Sequence, residues 1–287
     1  MTEKLKDLFR LDSSVLFKNA QEIAKTKKSI YCSPNIVNGS CKTVPNCRHC
    51  KWEHMKIENP DFYKERTLKE IKARTQVLVE AGVQRVFLAS GWMGYEVPEF
   101  YYDCIQSIKE DSNLDIYGLF GAINRKSLVN LQRAGMDGYL CGLESPNEAI
   151  YQRFRPAGDT LTDRITALKT ARDINLKIWS GFLVGLGETD DDVIIGLEIL
   201  RELDPESLSI LPFTPFPNTE MWEENPANPL KWARAMASAR IYLQKPDLFS
   251  DQTSGFYQGY GILGGANGFY AFPDKKSLSQ SVQGVRA

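Results

Sequence analysis

Short apolar runs alternate with amphipathic stretches along most of the chain. The apolar runs have the length of buried strands, and the stretches between them place apolar residues at the spacing of a helix. The predicted strands are 29–32, 85–90, 114–119, 138–143, 177–184 and 207–211. The predicted helices are 67–81, 97–110, 126–134, 162–173, 190–202 and 229–243. Strands that alternate with helices in this way predict a parallel sheet with helices packed on it.

The two ends of the chain differ from this middle part. Residues 1–28 are amphipathic and charged, which predicts a helical extension in front of the first strand. Residues 248–272 are rich in glycine and are compatible with two final βα units, whereas residues 273–287 have the pattern of a polar tail. The predicted organisation is therefore an extension (1–28), one domain (29–272) and a C-terminal tail (273–287).

About eight βα units in a chain of 287 residues favour an α/β fold of the (β/α)8 TIM-like barrel type, although a doubly wound sheet fits the pattern nearly as well. The residues that follow the predicted strands favour the barrel. They include Ser90, Gly91, Gly121, Glu144 and Pro212, besides the cysteines at 41–50 and a Gly-Leu-Gly-Glu run at 185–188. Barrel enzymes build their active sites at the C-terminal ends of the strands, so we expect these residues to surround one site.

Charge and hydropathy exclude some partners. The net charge of −1 gives no electrostatic attraction for nucleic acid or for an anionic membrane. The N-terminal segment lacks the apolar centre of a signal peptide, and no later stretch is long enough to span a bilayer. We therefore expect a cytoplasmic protein. In a reducing cytosol, a tight group of cysteines indicates metal binding or catalysis rather than disulfides.

Three of the six cysteines form such a group, in the loop Cys41-Lys-Thr-Val-Pro-Asn-Cys47-Arg-His-Cys50. Three thiolates on one loop can hold three irons of a 4Fe–4S cluster, and the fourth iron then stays open to a chelating molecule such as S-adenosylmethionine (SAM). A zinc site formed by the three cysteines with His49 or His54 is the alternative. The spacing alone leaves both interpretations open.

The rest of the chain favours the cluster, because it resembles the radical SAM superfamily, specifically the branch with biotin synthase and the hydrogenase maturase HydE. The resemblance includes the helix and strand at 160–189, which end in G-F-L-V-G-L-G-E-T, and the short stretches 217–219 and 265–268. It implies a radical SAM barrel with a 4Fe–4S cluster on the three cysteines, which cleaves SAM reductively to a 5′-deoxyadenosyl radical. A small-molecule substrate and an external electron donor such as ferredoxin or flavodoxin follow from the same resemblance.

The cysteine spacing departs from the usual C-x3-C-x2-C of this superfamily. C-x5-C-x2-C resembles the HmdB (HcgA) family, which is linked to the biosynthesis of the iron-guanylylpyridinol cofactor of mononuclear iron hydrogenase and is thought to act on its pyridinol part. The longer gap is also compatible with a loop insertion in a biotin-synthase relative. A non-catalytic iron–sulfur scaffold is a third possibility, against which Glu144 and Arg164 argue, because a scaffold needs no SAM pocket.

The resemblance assigns a role to each of several residues. His49 would pack near the adenine, Ser90 and Gly91 would bind the methionine amino group, and Glu144 would accept hydrogen bonds from the ribose hydroxyls. Arg164 would pair with the SAM carboxylate. Backbone atoms of Val184 and Gly185 would line the adenine. Each has an ordinary alternative, such as a loop histidine, a glycine that ends a strand, a solvated glutamate or a surface arginine.

Other residues are expected to be structural. Glu188 is expected to cap the following helix or loop, and Arg153 and Arg155 to form surface ion pairs, although either could meet an anionic substrate. Core positions are the default for Tyr95, Phe120, Trp179, Cys104 and Cys141. Cys32 and Cys141 could both face the barrel interior. No cysteine follows Cys141, which argues against a second cluster near the C-terminus.

Overall fold

A computed structural model of the chain describes residues 2–38, 41–50, 66–250 and 255–270. Eight parallel strands form one sheet: β1 (Ile30–Asn38), β2 (Arg85–Ala89), β3 (Asp115–Leu119), β4 (Gly138–Leu140), β5 (Lys177–Ser180), β7 (Ser207–Leu208), β9 (Asp247–Leu248) and β10 (Gly268–Tyr270). β10 pairs with β1, and Phe249 bridges to Gly268, so the last strand also meets β9. The sheet therefore closes on itself. The predicted (β/α)8 barrel is confirmed, and the doubly wound alternative is wrong.

Helices surround this barrel. They are α1 (Thr2–Arg10), α2 (Ser13–Ala24), α3 (Leu68–Glu80), α4 (Phe100–Asp111), α5 (Arg125–Ala134), α6 (Glu148–Phe154), α7 (Leu161–Asp173), α8 (Asp190–Leu203), α9 (Pro229–Leu243) and α10 (Gly255–Leu263). Capping boxes at Thr67, Thr160 and Thr189 start α3, α7 and α8, which agrees with the predicted helix positions. The pattern missed α6, because its seven residues are too few to show a helical period.

Two predicted strands each divide in the structure. The run 177–184 becomes β5 and β6 (Leu183–Val184), and the run 207–211 becomes β7 and β8 (Leu211–Pro212); β6 and β8 pair in a separate small sheet. The division follows from a close approach at Gly181, where a Cβ atom would lie 1.9 Å from the carbonyl oxygen of Ser209. Only glycine permits this contact.

A buried ion network closes the N-terminal end of the barrel. Arg85, at the start of β2, donates from Nη1 to Ser207 Oγ (2.6 Å) and from Nη2 to Glu206 Oε1 (2.8 Å) and Asp247 Oδ2 (3.1 Å). The guanidinium is almost fully buried and lies 5.6 Å from the ring centre of Tyr117. Next to this network, the lumen is filled by Cys32, Phe87, Tyr117, Trp179 and Phe249. The floor is therefore packed, and open space remains towards the opposite end.

The N-terminal helices and the glycine-rich segment are tied to the barrel by polar contacts. Arg234 in α9 donates to Ser13 Oγ and to the carbonyl oxygens of Phe9 and Leu11. Asn267 accepts from Arg240 and from the amide of Leu248. The predicted tail 273–287 lies outside the described residues, and the domain boundaries stay a prediction. No helix in the described part of the chain combines the length and apolar character needed to cross a membrane.

We expect Arg85→Met to lower the free energy of unfolding by about 3 kcal/mol, because it removes the buried guanidinium that pairs with three carboxylates at the barrel floor, of which Asp247 has no second ion-pair partner among the described residues. Urea unfolding monitored by tryptophan fluorescence measures this. Arg172→Met, which removes an exposed arginine from α7, is the matched control and should change stability by less than about 0.5 kcal/mol. Equal effects of the two substitutions would contradict the role of Arg85.

Candidate active site

A cavity of about 260 Å³ opens at the C-terminal end of the barrel strands. The predicted site residues that line it are Cys41, Cys47, Cys50, Ser90, Gly91, Glu144 and Arg164. The structure thus brings residues from widely separated parts of the sequence to one rim. Val184 and Gly185 are not among the residues that line this cavity. Gly185 lines a second cavity of about 410 Å³, together with Arg48, Phe154 and Leu186.

The cysteine loop is anchored to neighbouring elements through its backbone. The amide of Lys42 donates to the carbonyl oxygen of Trp92 (2.7 Å), and that of Arg48 to the carbonyl oxygen of Phe154 (3.0 Å). Cys41 packs directly on Gly91, where a Cβ atom would lie 2.2 Å from the Cβ of Cys41. The glycine after β2 is therefore needed for the loop to approach the barrel rim.

The three thiols surround the cavity without forming a site for a single metal ion. Among the described residues, no group of three or more His, Cys, Asp or Glu side chains is placed to hold one ion. Three thiols that line one cavity are the donors that a 4Fe–4S cluster with one open iron requires. The donor set therefore fits such a cluster. His54, the other candidate zinc ligand, lies outside the described residues.

The Cys47 thiol is buried and has a cationic neighbour. Burial raises the pKa of the free thiol to about 12, against the opposing effect of Arg155. Arg155 Nη1 lies 3.2 Å from Cys47 Sγ. Coordination by a metal removes the thiol proton, so the charged donor then faces a thiolate.

Glu144 and Arg164 form an ion pair at the edge of the cavity. Glu144, just after β4, has a φ of 58°, a strained backbone conformation for a residue with a side chain. Arg164, in the first turn of α7, donates from Nη1 to Glu144 Oε1 (2.7 Å) and to the carbonyl oxygen of Gly142 (2.6 Å). Burial alone would raise the pKa of Glu144, but Arg164, His49 and Arg155 together hold that pKa well below its usual value. The carboxylate is therefore ionised at neutral pH.

Arg155 and Asp159 are the site residues that the sequence interpretation missed. The side chain of Arg155 is only 8% exposed, so the expected surface ion pair is wrong. The fully buried carboxylate of Asp159 accepts from Arg155 Nη2 and from the amide of Ala122 (2.7 Å), and its Oδ2 lies 2.9 Å from Arg164 Nε. An acidic residue between two arginines, just before a helix, was the available signal.

His49, within the cysteine loop, lies beside this ion pair. Its Nε2 is 3.8 Å from Glu144 Oε2, and its ring meets that of Phe154 edge-on at 6.0 Å. Its Nδ1 is buried without a hydrogen-bond partner among the described residues. A polar ligand in this part of the site could satisfy that nitrogen.

Glu188 stabilises the turn after β6, in keeping with the expected capping role. Its carboxylate accepts from the amides of Gly185 (3.0 Å) and Leu186 (2.8 Å). Lys231 lies 3.1 Å from the same carboxylate. Arg153 donates to the carbonyl oxygen of Leu186 (2.6 Å), and in the part of the chain that the structure describes it has no acidic partner. These contacts indicate that the Gly-Leu-Gly-Glu run at 185–188 stabilises the turn after β6.

The aromatic residues and remaining cysteines separate into three environments. Trp179 and Cys141 line the cavity, and Trp179 Nε1 donates to Ser209 Oγ (2.7 Å). Phe120 and Cys104 are buried in the layer between barrel and helices. The expected core position is wrong for Tyr95, which is 44% exposed and donates to Asp163 on α7 (2.9 Å).

The sequence of the chain is similar to a protein-family model and to enzymes of known type. The family model described as the Radical SAM superfamily matches residues 41–198. The [FeFe] hydrogenase maturase subunit HydE of Thermotoga maritima is 28% identical over 200 residues, which are 69% of this chain and 56% of that protein. Biotin synthase of Neorickettsia sennetsu is 29% identical over 219 residues, which are 74% of this chain and 65% of that protein. The chain therefore spans less than two thirds of either relative.

The fold is shared with a solved structure of low sequence identity. Methylornithine synthase (PylB) superposes with a TM-score of 0.81 at 19% identity, over 96% of this chain and 83% of that chain. This likeness concerns the fold of the barrel.

We expect the stabilising effect of Glu144 to depend on pH. Its pKa is depressed in the folded protein, so its contribution is complete above the unfolded value of about 4.3 and is lost as the pH falls below it. Glu144→Gln should therefore cost about 2 kcal/mol of unfolding free energy at pH 7 and progressively less towards pH 3. Urea unfolding at a series of pH values measures the difference. Glu148→Gln, an exposed change on α6, should show no such trend, and a pH-independent cost for Glu144→Gln would contradict the prediction.

Proposed function

The chain belongs to the radical SAM superfamily, and from this premise we propose that it is an enzyme that cleaves SAM reductively at the described cavity. The observation that carries the proposal is the convergence of three cysteine thiols with the Glu144–Arg164 pair at a single barrel rim. A thiol triad alone is compatible with several metals. A buried arginine and an ionised carboxylate beside it supply what the amino-acid and ribose parts of SAM require.

The residues present fit a 4Fe–4S cluster and SAM. Cys41, Cys47 and Cys50 would hold the cluster, and the glycine at 91 lets the loop reach the cavity. When bound, the cluster supplies one electron that breaks the sulfonium bond of SAM, which yields a 5′-deoxyadenosyl radical able to abstract a hydrogen atom. The enzyme requires an external one-electron donor, and ferredoxin or flavodoxin fits that need.

The chain's own side chains would orient SAM in a defined way. Arg164 is held on one edge by Asp159, and its Nη1 donates to Glu144 and to the carbonyl oxygen of Gly142. Among the described residues this leaves the second hydrogen of Nη2 to donate to the SAM carboxylate. Glu144 has a second oxygen, Oε2, that faces His49 and can accept from ribose hydroxyls. His49, whose ring meets that of Phe154 edge-on, would pack near the adenine, and its Nδ1, which has no hydrogen-bond partner in the described ranges, would offer a polar contact there. Ser90 and Gly91 would meet the amino group.

The proposed substrate is a precursor of the pyridinol part of the iron-guanylylpyridinol cofactor. The C-x5-C-x2-C spacing supports this choice, as in the HmdB family. The inner end of the cavity supports it as well. It is bordered by Trp179, whose ring is buried in the packed lumen, and by Ser209, whose hydroxyl accepts from Trp179 Nε1 and contacts Tyr270 OH (2.9 Å). A small planar ring with polar substituents suits such a lining. The catalytic barrel would comprise residues 29–272, with residues 1–28 as an extension.

We expect the anaerobically reconstituted protein to be brown and oxygen-sensitive and to form 5′-deoxyadenosine from SAM and dithionite. Cys47→Ala should abolish product formation and lower the bound iron, because one ligand of the cluster is lost. Chromatography of the product and iron analysis measure both. Cys104→Ala, which removes a buried thiol far from the loop, should retain both. A colourless protein with tightly held zinc, or cluster transfer without SAM turnover, would contradict the proposal.

We expect pyridinol precursors to raise the rate of 5′-deoxyadenosine formation above the rate without substrate. The shape of the inner end, which the buried ring of Trp179 borders, should favour them over aliphatic acids of the same size. Trp179→Leu changes that shape and should therefore reduce the stimulation more than the uncoupled rate. Deuterium-labelled precursor, followed by mass spectrometry of 5′-deoxyadenosine, shows whether hydrogen is abstracted. Stimulation and deuterium transfer by aliphatic substrates alone would favour a biotin-synthase-like activity instead.

A further inference from the structure

We propose that Arg155 is a positioning residue that stabilises the reduced cluster through Cys47 and links the cluster electrostatically to the SAM-binding Arg164. This inference rests on the proposed function and concerns the interaction of one side chain with the cluster. It begins from an unusual contact, a buried guanidinium that directs Nη1 at the sulfur of a cysteine, 3.2 Å away.

The orientation of Arg155 is fixed by its other contacts. Nε donates to Tyr151 OH (3.1 Å), Nη2 donates to Asp159 Oδ1, and Nη1 lies 3.9 Å from Glu144 Oε1. The side chain is 8% exposed, so it has little freedom to leave this position. Its direction towards Cys47 is therefore part of the packed rim.

The charge of Arg155 favours a thiolate as its partner. A guanidinium is charged at every physiological pH, whereas a neutral thiol is a weak acceptor. A buried cation that faces a neutral thiol would have a poor partner, but one that faces a metal-bound thiolate makes a charge-assisted hydrogen bond. When the cluster takes one electron from an external low-potential donor, its negative charge grows. Arg155 then stabilises the reduced form more than the oxidised form and raises the reduction potential.

Asp159 connects this interaction to the SAM site. Its Oδ1 accepts from Arg155 Nη2 and from Arg164 Nη2 (3.3 Å), and Glu144 Oε1 is near both arginines. Two cations and two anions thus form a closed, formally neutral ring with Cys47 at one side and the SAM-facing Arg164 at the other. When the SAM carboxylate binds to Arg164, it adds a negative charge beside Asp159 and Glu144, and the charge balance of the ring changes. SAM binding and cluster reduction should therefore influence each other through this ring.

The test is a redox titration of the reconstituted protein without SAM, followed by electron paramagnetic resonance. Arg155→Met should lower the midpoint potential by at least about 59 mV, which corresponds to a tenfold change in the equilibrium constant of a one-electron reduction. Arg155→Lys keeps the charge but cannot span Cys47 and Asp159, so it should give an intermediate value. The matched control is Arg153→Met, which removes an arginine two residues away that has no contact with the thiol; its potential should equal that of the wild type.

The outcomes separate this inference from the proposed function. If the wild-type protein assembles no 4Fe–4S cluster, both the proposed function and the inference are contradicted. If the wild type assembles a full cluster, and Arg155→Met retains its iron and has the midpoint potential of the wild type, the inference alone is overturned. If Arg155→Met fails to retain iron, the same comparison is made with Arg155→Lys and with Tyr151→Phe, which removes the hydroxyl that orients Nε. Unchanged potentials in both would also overturn it.

A second titration tests the link to SAM. In the wild type, saturating SAM should shift the midpoint potential, and Asp159→Asn should reduce this shift because it opens the ring between the two arginines. A SAM-induced shift of the same size in Asp159→Asn would overturn the electrostatic link. The direct effect of Arg155 on Cys47 would still be decided by the first titration.

Discussion

The barrel rim depends on the mutual compensation of four buried or partly buried charges. The side chains of Arg155 and Arg164 are both almost fully buried, and Asp159 and Glu144 each lie near both arginines and balance their charge. This requirement determines much of the local structure, because it holds the end of α6, the start of α7 and Glu144, four residues after β4, in fixed relation. Breaking such a cluster by removing one member leaves an uncompensated charge in a low-dielectric region.

The two ends of the barrel use buried charge for different purposes. At the floor, the Arg85 network seals the strand starts and leaves no room for a ligand beside the packed aromatic lumen. At the rim, the charged groups line open space and retain donors and acceptors that face it. Stability and ligand binding are thus separated along the barrel axis, as is usual for this fold. The cavity lies between a rigid floor and a charge-balanced rim.

The residues around the cysteine loop indicate which metal group its three thiols suit. By itself the triad is compatible with zinc or with an iron–sulfur cluster. The rim adds a carboxylate that is ionised, an arginine held by a buried aspartate, and a cation that faces one of the thiols. These groups suit a ligand with carboxylate, amino and hydroxyl functions, and they place the positive charge where an added electron would be stabilised.

The sequence alone determined the fold class, most element positions and the residues of the cysteine loop, because hydrophobic periodicity and local motifs are encoded at short range. Glu144 and Arg164 were also within reach, since they follow a strand and begin a helix in a familiar pattern. Arg155 and Asp159 were not identified. An acidic residue between two arginines was a hint, but the local sequence does not distinguish a buried arginine from a surface one. Their burial and their contacts with Cys47 and Arg164 arise only when the closed barrel brings distant segments together, and only the tertiary structure could decide them.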